Sequence, residues 1–198
     1  MVPIEQNTDT IATVYQSRQA GIFMSKDFTH YEGRYLSLKE RDRWEYVTRA
    51  NAHAVAVLVA VTPDDEIVLV EQYRRPVDSR VIELPAGLVG DQDDPDEPVL
   101  EAAGRELIEE TGFEASSLEL LMECPSSAGM SDEVISFVVA RGLSRTGTGG
   151  GDDSEDIITH TVALDAVDDW LSAQRAEGKM LDPKVYSALH WLQSGMIK

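Results

Sequence analysis

The feature that most constrains this fold is a helix-like stretch, residues 104 to 113, that carries three acids near its end. Apolar residues recur at spacings of three and four, which predicts an amphipathic helix; they are Leu100, Ala103 and Leu107. Three acids with helical spacing project beside this stripe, namely Glu106, Glu109 and Glu110. Gly112 is the expected stop, because glycine enters the left-handed conformation without steric cost.

This acidic cluster is unfavourable on its own. Each like-charge i,i+4 pair destabilises a helix by about 0.2–0.5 kcal/mol, and the last turn of a helix disfavours anions. Two interpretations follow. The acids form a solvated surface, or they bind a hard divalent cation, which takes oxygen ligands and turns the repulsion into attraction.

The flanking residues favour the cation. Glu97 lies eight positions before Arg105, and Phe113 follows Gly112, so the stretch has the pattern E-x7-R-E-U-x-E-E-x-G-U, where U is bulky and apolar. This pattern resembles the Nudix box of the Nudix hydrolases.

One element of the box differs. The box begins with a glycine separated by five residues from its first glutamate, and here that position is Asp91. The neighbouring glycines are Gly87 and Gly90. We interpret residues 91–96 as a small acidic insertion in the loop that enters the helix.

Composition limits the class of protein. At 198 residues, we expect one domain with an appended element, and the net charge of −19 argues against binding nucleic acid or an anionic membrane. The single Cys124 excludes an intramolecular disulfide and is expected in the core. No apolar run approaches ~20 residues and the first ten residues are polar, so a cytoplasmic location is expected.

The rest of the chain alternates strand and helix signals. The run 53–61 predicts a strand buried on both faces, paired as a hairpin with 67–72 across a turn at 63–65. Further predicted elements are strands at 33–38, 44–49, 81–84, 118–124, 134–140 and 160–163, helices at 98–111, 167–175 and 183–193, and a mobile loop at 145–154.

These elements predict an α/β class, with a mixed sheet between helices. The resemblance implies the same architecture, a Nudix-type α/β/α sandwich. We divide the chain into a small N-terminal β segment, residues 1–50, and a Nudix hydrolase domain, residues 51–198.

The resemblance also implies chemistry. It implies hydrolysis of a nucleoside diphosphate linked to a second group, with Mg²⁺ as cofactor and Mn²⁺ as the alternative metal. Matched positions make Glu106, Glu109, Glu110 and the Ala86 carbonyl the metal ligands. Arg105 would orient these carboxylates, and Glu97 would buttress the helix.

The segments 43–45, 71–76 and 82–87 are similar to the ADP-ribose pyrophosphatase branch. That branch exchanges its N-terminal strands within a homodimer. By matched position Trp44 would stack on the nucleobase, with Glu45 near its polar edge, and Arg74 would contact the diphosphate. Glu83 would support the metal site, and the loop with Gly129 and Met130 would approach the terminal ribose.

Each of these residues also has a plainer interpretation. Trp44 could anchor a core or a dimer interface, Arg74 could be an exposed loop arginine, and Glu83 could be an ordinary surface position. The branch's usual proline is replaced by Ala128, which leaves other nucleoside diphosphate sugars open as substrates.

The general base is expected in the acidic segment 152–156, with Glu155 preferred and Asp153 second. Its alternative is a solvated linker. His160 and His190 have no partner at metal-ligand spacing and are expected to be structural.

The sequence is compatible with three functions. The first is Mg²⁺-dependent hydrolysis of ADP-ribose, to AMP and ribose 5-phosphate, or of a related nucleoside diphosphate sugar. The second is hydrolysis of another nucleotide, such as a dinucleoside polyphosphate or a coenzyme. The third is a non-catalytic, nucleotide-binding regulator.

Overall fold

The computed structural model describes residues 27–91, 94–151 and 156–197. Its strands are β1 Phe28–Glu32, β2 Leu36–Arg41, β3 Trp44–Arg49, β4 Ala54–Ala60, β5 Glu66–Arg74, β6 Ser79–Glu83, β7 Ala86–Val89, β8 Phe113–Glu114, β9 Ser117–Pro125, β10 Val134–Arg141, β11 Ser144–Arg145, β12 Ile157–Ala163 and β13 Met180–Leu181. Its helices are α1 Val99–Thr111, α2 Val167–Ala176 and α3 Pro183–Gln193.

Two four-stranded sheets form the centre of the fold. The first has the order β7-β4-β10-β9, and the second has the order β12-β5-β6-β13. Both are mixed, because β4 pairs with β10 in parallel, β6 pairs with β13 in parallel, and the other pairs are antiparallel. Strands β1, β2 and β3 form a separate antiparallel sheet, and β8 pairs with β11.

Strand β4 contributes to two apolar cores, because successive side chains of a strand point to opposite faces. Val57 and Val59 pack in a core shared with both sheets, α2 and α3. Ala56 and Leu58 pack in a second core against α1. The strand is therefore buried on both faces, as the continuous apolar run predicts, and the α/β class with mixed sheets between helices is confirmed.

The predicted hairpin of β4 and β5 is wrong. The two strands share only the turn, where Thr62 N donates to Glu66 O at 2.8 Å and Val61 forms an isolated bridge with Ile67. Beyond the turn they enter different sheets. The physical reason is that β7 and β10 occupy both edges of β4, so no edge is left for β5.

Helix α1 ends as predicted. Gly112 has a φ of +71° and its N–H donates to Ile108 O at 2.9 Å. The predicted stripe needs one correction, because Leu100 is 39% exposed and the buried face is made by Ala102, Ala103 and Leu107.

The last helix begins as its sequence predicts, since the Asp182 side chain accepts a hydrogen bond from Lys184 N at 2.7 Å. His160 on β12 contacts the Glu71 carboxylate at 3.1 Å. Cys124 is half-buried beside the first core. Within the described ranges, no helix has the length and apolar character needed to cross a membrane.

The small β1–β2–β3 sheet meets the rest of the chain through β3. Val47 N donates to Met130 O at 2.8 Å, and Val47 forms a parallel bridge with Ser131. Residues 1–26 of the predicted N-terminal segment lie outside the described part of the chain. The boundary at residue 50 and the strand exchange stay predictions.

The glycine-rich segment is not the free loop that its composition predicts, at least as far as Gly151. Thr146 N and Gly147 N both donate to Gly112 O, at 2.8 and 3.0 Å. Gly150 N donates to Glu110 O at 2.9 Å. The backbone of this segment therefore lies against the end of α1.

Candidate active site

Arg105, in the second half of α1, is the centre of the acidic cluster. Its guanidinium donates to Glu97, Glu106 and Glu109, with N–O distances of 3.2, 2.7 and 3.1 Å. Nη2 also donates to Leu88 O on β7 at 3.2 Å. The rigid fork of donors in arginine suits such a set of oxygens. Arg105 thus holds three acids and a strand in one arrangement.

Glu97 connects the loop before α1 to the middle of the helix. It accepts from Arg105 and from Gly90 N, the latter at 3.0 Å. Burial alone would raise the pKa of the Glu97 carboxyl, but these two donors hold it below its ordinary value. The structure therefore places Glu97 where the sequence predicts a buttress for the helix.

Asp91, the first residue of the predicted acidic insertion, enters the site. Its Oδ1 lies 3.6 Å from Arg105 Nη2 and is buried without a hydrogen-bond partner among the described residues. The Nudix box has a glycine at this position, so this chain adds a carboxylate oxygen to the cluster. Nothing in the sequence pattern alone predicted that contact.

Glu106 is the most perturbed acid of the cluster. Burial raises the pKa of its carboxyl to about 7, Arg105 opposes this rise, and Glu109 and Asp91 add to it. Strand β7 crosses directly over this side chain, because a Cβ on Gly87 would lie 1.8 Å from Glu106 Cδ. Only glycine fits at position 87 while Glu106 stays in place.

Glu110 and Ala86 also meet. The Ala86 N–H donates to Glu110 Oε2 at 3.0 Å, and Glu110 is buried at the base of the cleft. The Ala86 carbonyl, predicted as a ligand, belongs to the same residue as this N–H, at the start of β7. Glu109 differs from the other two acids, since its side chain is 45% exposed and reaches the cluster through Arg105.

The oxygen atoms of the predicted ligands and of Asp91 are of the kind that binds a hard divalent cation. They are carboxylate and carbonyl oxygens, Glu106 resists ionisation where it lies, and one oxygen of Asp91 has no hydrogen-bond partner within the described part of the chain. In the arrangement described, Arg105 acts as the counter-ion, and no three of the described His, Cys, Asp and Glu residues are grouped as metal ligands. A cation would therefore compete with Arg105 for Glu106 and Glu109.

A cleft of about 370 Å³ opens beside these acids. Glu106, Glu110 and Ala86 line it, together with Asp91. Basic residues line it as well, namely Arg49, Arg74 and Lys184. Each of them is paired with an acid: Arg49 with Glu133 at 2.6 Å, Arg74 with Glu83 at 2.7 Å, and Lys184 with Asp182. The cleft therefore offers both oxygen ligands and cationic donors to an anionic substrate.

The Arg74–Glu83 pair bears on the predicted roles of both residues. Glu83 is 8% exposed, and burial raises its pKa even though Arg74 lowers it. The interpretation of Glu83 as an ordinary surface position is therefore wrong. Arg74 is at the end of β5, ion-paired, and borders the cleft.

The predicted nucleobase residues lie outside this cleft. Trp44 is 63% exposed and its Nε1 donates to Gly129 O at 3.1 Å, in the same region as Glu45 and Met130. Trp44 borders a separate groove of about 410 Å³. A core role for Trp44 is excluded by its exposure, and its stacking role stays a prediction.

The predicted bases, Glu155 and Asp153, lie outside the described residues. The segment on either side of them is described. Gly151 N donates to Glu109 O at 3.0 Å, and Asp156 pairs with Arg80.

No role was predicted for Arg49 or Lys184, and Glu133 only ends the segment 129–133, which resembles the loop that approaches the terminal ribose. The three residues come from β3, the loop before β10 and the start of α3, so only the tertiary fold brings them to the cleft. Arg49 carries no local motif. The Asp182 cap predicted the position of α3 but not the direction of the Lys184 side chain.

Comparison with known proteins agrees with this geometry. The NUDIX domain family matches residues 52–192, most of the chain. A relative from Bacillus methanolicus named methanol dehydrogenase activator is 37% identical over 141 residues, 71% of this chain and 71% of that protein. An ADP-ribose pyrophosphatase of Bacillus subtilis (strain 168) is 38% identical over 91 residues, 46% of each chain.

The fold has a solved counterpart. A crystal structure of an ADP compounds hydrolase superposes with a TM-score of 0.65 and 24% identity, over 86% of this chain and 91% of that one. At 24% identity this likeness shows the fold alone. The assignment to the family rests on the match of residues 52–192 to the NUDIX domain. The chain therefore belongs to the Nudix family of hydrolases.

Proposed function

We propose that this chain is a Mg²⁺-dependent pyrophosphatase that hydrolyses the diphosphate bond of ADP-ribose, giving AMP and ribose 5-phosphate, or of a related nucleoside diphosphate sugar. The observation that supports it most is the composition of the cleft. The half-buried Glu106 and the buried Glu110 share one cavity with the cations Arg49, Arg74 and Lys184. A diphosphate bound by both a metal and cationic side chains would need both kinds of group.

Nudix hydrolases use divalent metal ions. In this proposal Glu106, Glu109, Glu110 and the Ala86 carbonyl hold the metal, with Mn²⁺ as the alternative to Mg²⁺. When bound, the metal neutralises charge on the diphosphate and lowers the pKa of water. Arg105 keeps the carboxylates oriented, as its contacts with Glu106 and Glu109 allow.

The chain's own residues bind and orient the substrate. Arg74 and Lys184 attract the diphosphate, because their positively charged side chains line the same cleft as the acids. Water then attacks one phosphorus and the bridging P–O bond breaks, so that two monophosphates leave. We propose Glu155, with Asp153 second, as the base that accepts the proton of this water.

We further propose that the nucleobase binds at Trp44, with Glu45 at its polar edge, and that the loop with Gly129 and Met130 approaches the terminal ribose. Base stacking on an aromatic ring is worth about 1–3 kcal/mol. Trp44 is exposed and faces a groove separate from the cleft of the same chain. A homodimer that exchanges its N-terminal strands, residues 1–50, would supply Trp44 to a partner's cleft.

A substrate panel with product identification tests this proposal. The protein is incubated with Mg²⁺ and ADP-ribose, ADP-glucose, GDP-mannose or a dinucleoside polyphosphate, and products are separated by anion-exchange chromatography. We expect ADP-ribose to give AMP and ribose 5-phosphate. We also expect a higher kcat/KM for ADP-ribose than for the other substrates of the panel. Release of no nucleotide from any of these substrates would reject the proposal. Preference for the dinucleoside polyphosphate would support the second Nudix chemistry instead.

A regulatory function is the second candidate, because one relative that covers 71% of this chain is named an activator. The acids Glu106, Glu109 and Glu110 are all retained, which favours catalysis, since a binding protein gains nothing from three neighbouring like charges. Calorimetry separates the two: tight ADP-ribose binding without Mg²⁺ and without turnover would favour a regulator.

A further inference from the structure

The last turn of α1 receives hydrogen bonds from outside the helix. An α-helix ends with carbonyl groups that have no partner within it. Here Gly150 N donates to Glu110 O at 2.9 Å, and Gly151 N donates to Glu109 O at 3.0 Å. Thr159 Oγ1, from β12, donates to the same Glu110 carbonyl at 3.0 Å. The two acids at the end of α1 are thus fixed through their backbone carbonyls.

Glycine is required for this approach. Gly149, Gly150 and Gly151 have φ values of +68°, +114° and +76°. A Cβ on Gly149 would lie 2.6 Å from Glu110 O and 2.5 Å from Thr111 C. The run of glycines therefore serves a close backbone contact, whereas composition alone predicted a loop without one.

The contact has an electrostatic consequence. The carboxyl end of a helix carries a partial negative charge of about half an elementary charge, which disfavours carboxylates there. N–H and O–H donors aimed at the last carbonyls oppose that charge. They also fix the backbone from which Glu109 and Glu110 project. Glu110 is held at its other end as well, where its carboxylate accepts from Ala86 N.

We propose that Gly149–Gly151 and Thr159 are positioning residues for the metal site. They hold the acid-bearing turn of α1 in the geometry that binds a cation, without touching cation or substrate themselves. This inference rests on the proposed function, because it presumes that Glu109 and Glu110 bind metal. Removing the Thr159 hydroxyl, or displacing the Gly150 N–H by a side chain that disfavours its φ of +114°, lowers metal affinity more than the accompanying loss of stability explains.

The test compares Mn²⁺ affinity, measured by electron paramagnetic resonance, in wild type, Thr159→Val and Gly150→Ala. Groups behind metal ligands typically contribute 10–100-fold to affinity, so we expect at least about tenfold weaker Mn²⁺ binding in both variants. Thr159→Ser keeps the hydroxyl and is expected to restore affinity. Gly178→Ala is the matched control, since Gly178 has a φ of +89° with nothing within 4 Å and lies beyond α2.

Thermal unfolding of each variant is measured alongside. We expect Gly178→Ala and Gly150→Ala to lose similar stability, with only Gly150→Ala losing Mn²⁺ affinity. Wild-type affinity in Thr159→Val and Gly150→Ala overturns the inference while leaving the proposed function intact. Absence of Mn²⁺ binding by the wild type overturns the metal site itself. If Gly150→Ala does not fold, the Mn²⁺ affinities of Thr159→Val and Thr159→Ser test the inference alone.

Discussion

At the scale of single residues, Arg105 determines how the acidic cluster is arranged. It contacts Glu97, Glu106 and Glu109, and reaches β7 through Leu88 O. The resemblance implied that Arg105 would orient the carboxylates at the metal site and that Glu97 would buttress the helix, but it did not give the contact between Arg105 and Glu97. It could not predict Asp91, which replaces the glycine of the box and lies 3.6 Å from Arg105.

Arg105→Lys tests this arrangement. A lysine cannot bond three carboxylates and a carbonyl at once, because it lacks the planar fork of donors. We expect a loss of about 2 kcal/mol in the free energy of unfolding, measured with urea, since bonds to charged groups are worth about 1.5–3 kcal/mol each. The control Arg175→Lys changes an exposed arginine in α2. Equal stability of both variants would contradict the role of Arg105.

Glu71 supports a prediction about pH, away from the metal site. Burial alone would raise the pKa of this carboxyl, but bonds from Lys179 at 2.9 Å and His160 at 3.1 Å hold it below its ordinary value of 4.5. The folded state therefore releases this proton more readily than the unfolded state. The resulting stability is present above pH 4.5 and is lost as the pH falls through the lower, folded pKa.

Glu71→Gln removes that charge. We expect a loss of about 3 kcal/mol in the free energy of unfolding at pH 7, because Lys179 and Arg80 then lose their buried carboxylate partner. The difference from wild type should shrink as the pH falls below 4.5 and through the lower pKa of the folded state, because the wild-type carboxyl is then protonated as well. Urea unfolding at pH 7 and pH 3.5 measures both values, with the exposed Glu119→Gln as control. A difference that does not change with pH would refute the assignment.

At the scale of elements, the sequence predicted α1, α3 and the buried strand β4 because each carries a strong local signal. Helix α1 ends at Gly112, and Asp182 caps α3. Strand β7 was missed, since Ala86–Val89 is short and has no alternating pattern. The pairing of β4 and β5 was predicted wrongly, because local sequence does not reveal that β7 and β10 occupy both edges of β4.

The crossing of β7 over α1 gives an element-scale prediction. In Gly87→Ala the new Cβ would overlap Glu106 Cδ, so either the strand or the carboxylate must move. We expect kcat/KM for ADP-ribose to fall about 100-fold, the effect of misplacing a reacting group by about 1 Å. Gly147→Ala is the control, since its Cβ would meet only ordinary contact at 3.8 Å. Near-normal activity of Gly87→Ala would contradict the position of Glu106.

At the scale of the whole molecule, the β1–β2–β3 sheet exposes large apolar side chains. Phe28, Tyr31 and Leu36 are 58%, 67% and 47% exposed. The sequence predicted small strands that need something to pack on, and within the described residues their contact with the rest of the chain runs through β3. If this sheet forms a homodimer interface, these apolar side chains would be covered in the dimer and exposed in a single chain.

Sedimentation velocity tests the dimer. We expect the wild type to sediment with twice the mass of one chain, and the double variant Tyr31→Asp/Leu36→Asp as a monomer with a raised KM for ADP-ribose. Met196→Asp changes an equally exposed apolar residue at the other end of the chain and should stay dimeric. A monomeric wild type with full activity would rule out the shared site.

The proposal that Glu110 and its neighbouring acids bind a catalytic Mg²⁺ is tested most directly by AMP release from ADP-ribose. The release is measured for the wild type and for Glu110→Gln as a function of Mg²⁺ concentration. Glu110 is buried in the cleft, and glutamine keeps its shape while removing its charge. We expect Mg²⁺-dependent release by the wild type and a fall of about a thousandfold or more in the variant. Release that needs no Mg²⁺, or a variant within a few-fold of the wild type, would contradict the proposal.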